Sequence, residues 1–297
     1  MKRLLFICMS VIPLYAAPVE WNDQESFPAP PPFYPFSLGG SYTNVAPAAF
    51  TTPGTTGKLH YVQYDANFSY THPFSETHGL IFGTGWVGVD LNWANNPDFN
   101  ETNFNYIDFS FGGFSKVFSN WVWTLNIAAF LDTQQFSFSD YALYQSVLWG
   151  KYTWNPCIEL DFGFLLELGL NQDFVWPILG FIYNYNDRLR LHAVYPIDMT
   201  LEYDLMPTLT AAGAVRILRN RHRVADNEPL PQAVFLYQTW GLEFDLEYKP
   251  VPWFFVNGFV GSTTPGNLTI SNRDNTSSTD FKFKSSFYAG LNSALSF

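Results

Sequence analysis

FKFKSSFYAGLNSALSF, the segment formed by residues 281–297, decides the fold because apolar and polar side chains alternate along it up to Phe297. The residues of one parity are mainly apolar: Phe281, Phe283, Phe287, Ala289, Leu291, Leu295 and Phe297. Those of the other parity include Lys282, Lys284, Ser286, Asn292 and Ser296. Successive side chains on a β-strand point to opposite faces, so the segment predicts one strand with an apolar face and a polar face.

The composition favours strands over helices as membrane-spanning elements. Aromatic residues make up 19% of the chain and charged residues 14%, yet the mean hydropathy is -0.04. Beyond the first residues, no run approaches the roughly 18 to 20 apolar residues that a membrane helix needs. Alternation dilutes the hydrophobicity of a strand by half, and lipid offers no partner to open backbone groups. A chain of this kind that spans a membrane is therefore expected to form a closed barrel.

The same alternation recurs throughout residues 37–297, which we interpret as one all-β, transmembrane, antiparallel up-and-down β-barrel. Long and short connections also alternate, as barrels of this class require. Examples of long connections are residues 264–279 and 219–232, and examples of short ones are residues 249–252 and 206–207. The alternation holds only if residues 188–195 and 199–205 are two strands joined by a tight turn. This predicts about fourteen strands with residues 37–46 as the first, and twelve is the alternative.

The closing segment resembles the last strand of Gram-negative outer-membrane β-barrel proteins, whose final aromatic residue is read by the barrel-assembly machinery. Phe297 and Leu295 carry the resemblance. It implies an outer-membrane location, contact with outer-membrane lipids, and the assembly machinery as a partner, with Phe297 and Leu295 as the assembly signal. It also implies that the last strand runs inward, which places Phe297 at the periplasmic end.

The N-terminus has the pattern of an export signal. Lys2 and Arg3 precede an apolar stretch at residues 4–12, and Ala16 follows soon after, so residues 1–16 are predicted to be a cleaved signal peptide. Residues 17–36 are rich in proline, which favours an extended periplasmic arm. The alternative is a segment that plugs the lumen or docks a partner.

Charged side chains fall on the polar parity of the strands, because charge on the lipid face costs several kcal/mol. The candidate lumen-lining residues are Arg188, Arg190, His192, Glu202, Asp204, Arg216, Glu159, Asp161, Glu167, Glu243 and Asp245. Asp90 is assigned to the lumen by the same rule. The carboxylates either hydrate the wall and pair across strands or line a water-filled pore that favours cations. Arg188, Arg190, His192, Glu202, Asp204 and Arg216 are expected to form one ladder, which either braces the wall or sets up a transverse field at a constriction.

A second basic cluster lies in a predicted external loop. It consists of Arg219, Arg221, His222 and Arg223. Arginine suits bidentate contacts with phosphate, so lipopolysaccharide is a candidate partner of this cluster. The alternative is an ordinary solvated loop.

No motif in the chain indicates catalysis, and we predict no catalytic residue, no metal site and no cofactor. The chain lacks G-x-S-x-G, H-E-x-x-H and a phosphate-binding glycine loop. The net charge of -11 argues against a nucleic-acid partner. The predicted function is a channel or transporter for ions or small solutes, of open oligomeric state. The alternatives are a structural or surface-interaction barrel without conductance, and a lipid-acting enzyme with His192 as its base.

Overall fold

The computed structural model describes residues 34–118, 120–196 and 198–297, which form antiparallel strands. The signal peptide and most of the proline-rich arm lie outside the described residues. The strands are β1 Phe36–Ala49, β2 Lys58–Ser75, β3 His78–Trp93, β4 Asn103–Phe118, β5 Trp121–Asp132, β6 Ala142–Asn155, β7 Ile158–Gly169, β8 Phe174–Asn184, β9 Leu189–Tyr195, β10 Asp198–Met206, β11 Leu209–Arg223, β12 Val234–Val251, β13 Phe254–Thr263, β14 Gly266–Ser271, β15 Ser278–Phe283 and β16 Phe287–Ser296. In the part of the chain just given, no helix is long and apolar enough to cross a membrane.

Fourteen of these strands close a barrel. Each strand from β1 to β12 pairs with the one that follows it, and β16 closes the ring by pairing with both β13 and β1. The remaining strands, β14 and β15, form a hairpin that pairs with β12 inside the ring. The predicted fold class and the count of fourteen are confirmed, and the alternative of twelve strands is wrong.

The two ends of the barrel differ, and we name them from the chain. The lower end is where Phe36 and Phe297 meet through two backbone hydrogen bonds, of 3.0 and 2.9 Å. The upper end is the opposite one. Connections at the lower end are tight turns, whereas those at the upper end are longer, except between β7 and β8 and between β9 and β10.

Large apolar side chains cover the outer surface, as a lipid-facing belt requires. The exposed set includes Phe82, Trp86, Phe109, Phe111, Leu125, Ile127, Phe164, Leu168, Leu179, Leu201, Leu242, Phe244 and Leu291. On β2, β4, β5 and β7 the apolar parity faces outward, as the alternation predicts.

Strand β3 is an exception, and its predicted orientation is wrong. Val87, Val89 and Leu91 are buried inside the barrel, while Phe82 and Trp86 of the other parity are exposed. The strand therefore faces the opposite way, and its carboxylate at position 90 lies on the outer parity, where Asn103 donates a hydrogen bond to it. The cause is that the upper interior is packed rather than wet, so apolar residues on β3 can face inward.

The segment predicted as one terminal strand is two strands. β15 ends at Phe283 and pairs with β14, whereas β16 begins at Phe287 and closes the ring. Phe281 and Phe283 are buried in the interior, with 7% and 1% exposure, while Phe287 on the same parity is 78% exposed. The error arises because a row that faces lipid and a row that faces a packed core are equally apolar.

The upper halves of β11 and β12 leave the wall and cross the lumen. We call residues 216–239 the lumen hairpin. β10 pairs with β11 only up to the Met199–Val215 pair, so beyond Val215 the strand keeps β12 as its neighbour and loses the wall strand on its other side. Every residue of 216–223 is buried, on both parities.

The contacts of the lumen hairpin define its position. Ile217 packs in one cluster with Val147, Leu165, Ile178 and Val194, side chains of the strands β6, β7, β8 and β9. Leu218, on the opposite face, belongs to a cluster with Leu59, Tyr61 and Val89 from β2 and β3. Two separate parts of the barrel wall therefore contact the two faces of the hairpin, which fills the upper lumen between them.

The β14–β15 hairpin adds to this closure. Residues 267–271 of β14 pair with residues 234–238 of β12, so the interior holds a small sheet of four strand segments. Tyr237 stacks on Tyr61 with ring centroids 4.2 Å apart, and on Phe283 at 5.3 Å. The upper half of the barrel is therefore a packed aromatic core.

Candidate functional site

The lower lumen carries a cross-strand charge cluster between β9 and β10. Arg190 lies opposite Glu202 in the register. Its guanidinium is 3.3 Å from Glu202 and 3.1 Å from Asp204, and His192 Nε2 is 3.8 Å from Glu202. Direct cross-strand neighbours of opposite charge stabilise a sheet. This cluster holds four of the six residues expected in one ladder.

Arg188 and Arg216 are not part of that cluster, so the ladder of six residues is wrong. Arg188 is exposed in the turn before β9, where its carbonyl oxygen accepts a 2.8 Å hydrogen bond from the Asp204 amide. Arg216 lies beyond the paired part of β10 and faces β12 instead. The parity of these residues is correct, but parity does not say where a neighbouring strand ends.

Arg216 belongs to a separate buried cluster at mid-height. Its guanidinium donates to Glu243, and also to Asp245 over 2.8 Å. Tyr288 of β16 donates its hydroxyl to Glu243 over 2.7 Å. All of these side chains are buried, so the two carboxylates and the arginine form a compact, mutually bonded group.

Glu159 and Asp161 occupy the wall between β6 and β7. Lys151 pairs with Glu159 over 3.2 Å, and the indole nitrogen of Trp149 donates to Asp161 over 2.6 Å. The Lys151–Glu159 pair is partly exposed, whereas Asp161 is buried.

The upper lumen contains a basic cluster that the sequence placed in a solvated loop. Arg219 Nη1 is 2.8 Å from both carboxylate oxygens of Glu167, and Arg221 Nη2 is 3.1 Å from one of them. Both guanidinium groups also lie over the ring of Phe174, at 4.6 and 5.1 Å from its centroid. The predicted external loop is thus wrong at residues 219–223, which belong to β11, and these buried arginines are not accessible to lipopolysaccharide.

A signal for this arrangement was present in the sequence. Residues 216–223 contain neither glycine nor proline, and turn-forming residues appear only from Asp226 onwards. The strand could therefore have been extended to Arg223. What pattern alone does not give is its turn into the lumen.

His222 is a further residue of the upper lumen. Its ring stacks on Tyr106 with centroids 4.4 Å apart and planes at 11°, and it also contacts Phe104 and Phe235 at 5.5 Å. The side chain is 0% exposed, and among the described residues neither ring nitrogen has a hydrogen-bond partner. It acts here as an aromatic packing residue.

The tip of the lumen hairpin is tied to the β3–β4 loop. The Ala225 amide donates to Glu101 over 3.0 Å, and the Leu230 amide donates to the Asp98 carbonyl over 2.8 Å. Burial raises the pKa of Glu101 to about 7, against the opposing effect of the Ala225 hydrogen bond. Within residues 34–118, 120–196 and 198–297, no group of three His, Cys, Asp or Glu residues is placed to hold a metal ion.

The chain has the fold of Gram-negative outer-membrane β-barrel proteins. It is similar to an outer membrane channel from Pseudomonas putida F1, with a TM-score of 0.51 and 8% identity over 92% of this chain and 100% of that one. It is also similar to a deletion mutant of the monoaromatic hydrocarbon channel TodX, with a TM-score of 0.50 and 10% identity over 90% and 91% of the two chains.

Sequence comparison identifies the family of the chain. The chain is 30% identical over 291 residues to an uncharacterized protein of Chlamydia pneumoniae, covering 93% of this chain and 91% of the relative, and it belongs to the family of that protein. An uncharacterized protein of Chlamydia trachomatis is 26% identical over 282 residues, covering 90% and 89%. No protein-family model matches the chain.

Proposed function

We propose that this protein is an outer-membrane channel for small solutes, closed at its upper end by the lumen hairpin. The observation that carries the proposal is the contrast between a wide ring and an interior that is blocked at one level by a discrete element. Eight-stranded barrels are filled by wall side chains, whereas fourteen strands enclose more space than the wall can fill. The lumen hairpin and the β14–β15 hairpin occupy that extra space in the upper half of the barrel.

The charged residues of the lower and middle lumen support passage of polar solutes. We propose that Arg190, His192, Glu202, Asp204, Glu159, Asp161, Arg216, Glu243 and Asp245 line the path, with Glu167 at its upper constriction. Charged groups along a lumen keep water and polar solutes in contact with the wall. Arg188 is proposed to lie at the entrance, since it is exposed in a lower turn.

The lower end is proposed to face the periplasm. The proposal rests on the tight lower turns and the longer upper connections, the arrangement that transmembrane barrels use. Residues 1–16 as a signal peptide, residues 17–36 as a periplasmic arm, and Phe297 with Leu295 as the signal for the assembly machinery stay predictions. Lipopolysaccharide stays a candidate partner, but without the buried arginines of residues 219–223 as its contact. We propose no enzymatic step.

Planar-bilayer recording tests the channel with one deletion. Residues 218–239 are replaced by Asn-Gly, a turn that suits a two-residue hairpin and joins the Ile217–Trp240 pair. The wild-type protein is expected to give rare, small openings, and the deletion variant a large and steady current. The matched control shortens only the hairpin tip, residues 226–231, and should behave like the wild type.

A barrel without conductance is the second candidate, and the packed upper core favours it. If the deletion variant folds, as judged by heat-modifiable gel migration, and still passes no current, the channel proposal is wrong and the surface-interaction barrel takes its place. Orientation has its own test: Cys157 is exposed in a lower turn. A membrane-impermeant maleimide should label it only after the outer membrane is permeabilised.

A further inference from the structure

Three hairpins of the barrel wall carry the same arrangement of charge. In each, the second strand has a glutamate and an aspartate two positions apart on its inner parity, and the first strand has one basic residue beside them. The carboxylate pairs are Glu159 with Asp161 on β7, Glu202 with Asp204 on β10, and Glu243 with Asp245 on β12. The basic residues are Lys151 on β6, Arg190 on β9 and Arg216 on β11. We call each group of three a charge station.

Each basic residue serves both carboxylates of its station. Arg190 and Arg216 each contact both carboxylates of their stations. In the remaining station, Lys151 lies 3.2 Å from Glu159 and also attracts Asp161, which is directly opposite it in the strand register. One cation between two carboxylates leaves each station with one negative charge in excess.

The other charges of the wall below the packed upper core do not cancel this excess. Asp65 on β2 and Asp108 on β4 lie on the inner parity and add two carboxylates. Lys116 of β4, near the lower end, adds one positive charge, and Glu247 and Lys249 of β12 offset each other. Among the described side chains of this inner wall, negative charge exceeds positive by four: three from the stations and two from Asp65 and Asp108, less one for Lys116.

The upper core changes this balance little. Its buried charged side chains are two carboxylates and three guanidinium groups, namely Asp132, Glu167, Arg219, Arg221 and Arg223. They leave one positive charge, and they belong to the packed protein that closes the upper lumen. An ion that enters from the lower end therefore meets the negative stations first.

We propose that the lower and middle lumen selects small cations, and that the three charge stations set this preference. The inference rests on the proposed channel and gives the class of its solute. Acidic groups along a pore concentrate cations and exclude anions, because the low-dielectric wall focuses their field into the water. The basic residue of each station holds two carboxylates close together, since cross-strand partners of opposite charge stabilise the sheet.

Thiol modification measures this preference without any current. In a Cys157→Ser background, Thr153→Cys places a thiol directly opposite Glu159 on the inner parity. Two methanethiosulfonate reagents, a cationic one with a trimethylammonium group and an anionic one with a sulfonate, are compared in detergent at low ionic strength. The pH is 8, because His192 near Glu202 is charged only when protonated. The native Cys157 of the wild type, exposed in a lower turn, is the reference thiol outside the lumen.

The ratio of the cationic to the anionic rate is expected to be higher for the lumen thiol than for Cys157, and the reactivity of the thiol itself cancels in this ratio. A unit charge about 8 Å away changes the local concentration of a monovalent ion about twofold in water, in opposite directions for the two reagents. Glu159→Gln should therefore lower the ratio about fourfold, and Lys151→Gln should raise it about fourfold. A purely structural effect would not have opposite signs. Glu76→Gln, which removes an exposed carboxylate from a lower turn, is the matched control and should leave the ratio unchanged.

The hairpin-deletion variant retains all three stations and tests conduction. In a KCl gradient its reversal potential should show K⁺ to be more permeant than Cl⁻. In that background, Glu202→Gln and Arg190→Gln should shift the potential in opposite directions. No current together with a raised rate ratio would refute the channel and leave the cation preference of the lumen standing. The proposal would be overturned by a rate ratio no higher than that of Cys157, by a lumen thiol that reacts with neither reagent, or by a pore that prefers chloride.

Discussion

Arg216 and Arg219 lie three positions apart on β11, yet their surroundings are opposite in charge. Arg216 contacts two carboxylates, Glu243 and Asp245, whereas Arg219 shares the single carboxylate of Glu167 with Arg221. All three arginines are buried. The mid-height cluster therefore has more buried carboxylates than guanidinium groups, while the upper cluster has two guanidinium groups on one carboxylate, next to an aromatic core.

The largest expected effect comes from removing the carboxylate of the upper cluster. Glu167→Gln leaves two buried guanidinium groups without a counter-charge, and breaking a buried pair in this way costs about 3–5 kcal/mol. We expect the free energy of unfolding, measured with urea in detergent micelles, to fall by that amount. Glu159→Gln is the control, because its pair with Lys151 is partly exposed and should contribute less than about 1 kcal/mol. Equal losses in the two variants would contradict the buried upper cluster.

The complementary experiment removes the arginine of the mid-height cluster. Arg216→Gln leaves Glu243 and Asp245 buried with no guanidinium between them, and it should also cost about 3–5 kcal/mol. Urea unfolding in detergent micelles measures the loss, with Glu159→Gln again as the control. A loss below about 1 kcal/mol, the scale of an exposed pair, would contradict the buried mid-height cluster.

Two phenylalanine variants, one inside the barrel and one on its outer surface, test the packed upper core. Phe283→Ala opens a cavity among Tyr237, Phe50 and their neighbours and should destabilise the protein by about 3–5 kcal/mol at most. Phe287→Ala changes a side chain of the same parity that is 78% exposed on the outer surface. Lipid can fill the space there, so its effect should be clearly smaller. A similar loss in both variants would mean that β15 does not pack inside.

A smaller effect is expected from Arg219→Gln. The remaining Arg221 and Glu167 form a balanced pair, so the loss should be about 1 kcal/mol, the scale of a single hydrogen bond. Urea unfolding in detergent micelles measures the loss. A loss as large as that of Glu167→Gln would contradict the balanced pair.

The smallest effect is a pH dependence at the tip of the lumen hairpin. The pKa of Glu101 is raised to about 7 in the folded protein. The stability that follows from its protonation is fully present below the unfolded pKa and is lost as the pH rises through the folded one. The difference in Tm between the wild type and Glu101→Gln should therefore change between about pH 4.5 and 7 and be constant outside that window. A difference that is constant throughout would contradict the raised pKa.

Alternation predicted the ring because it reports which residues share a face. It placed the outward rows of β2, β4, β5 and β7, and the lengths of the connections required the tight turn between Tyr195 and Asp198. Those features depend on local backbone geometry and on the lengths of neighbouring segments. Both are readable in a single sequence.

The alternation pattern gave wrong assignments where two different environments select the same sequence pattern. Val89 of β3 and Phe283 of β15 were assigned to lipid because packed protein and lipid select the same apolar side chains. Arg219 and Arg221 were assigned to solvent because an arginine row looks alike in a loop and on a buried strand. Their partner Glu167 is distant in sequence, and only the folded ring brings it near.

The pairing between β10 and β11 ends at Val215, so β11 has two parts with different roles. Below Val215 the strand is held on both sides and belongs to the ring, and above it the strand is bonded only to β12. Substitutions in residues 216–239 can therefore change what the interior accepts while the closure of the ring is left intact. Over evolutionary time, a family with this design can diversify its interior at one segment while a constant scaffold carries insertion into the membrane.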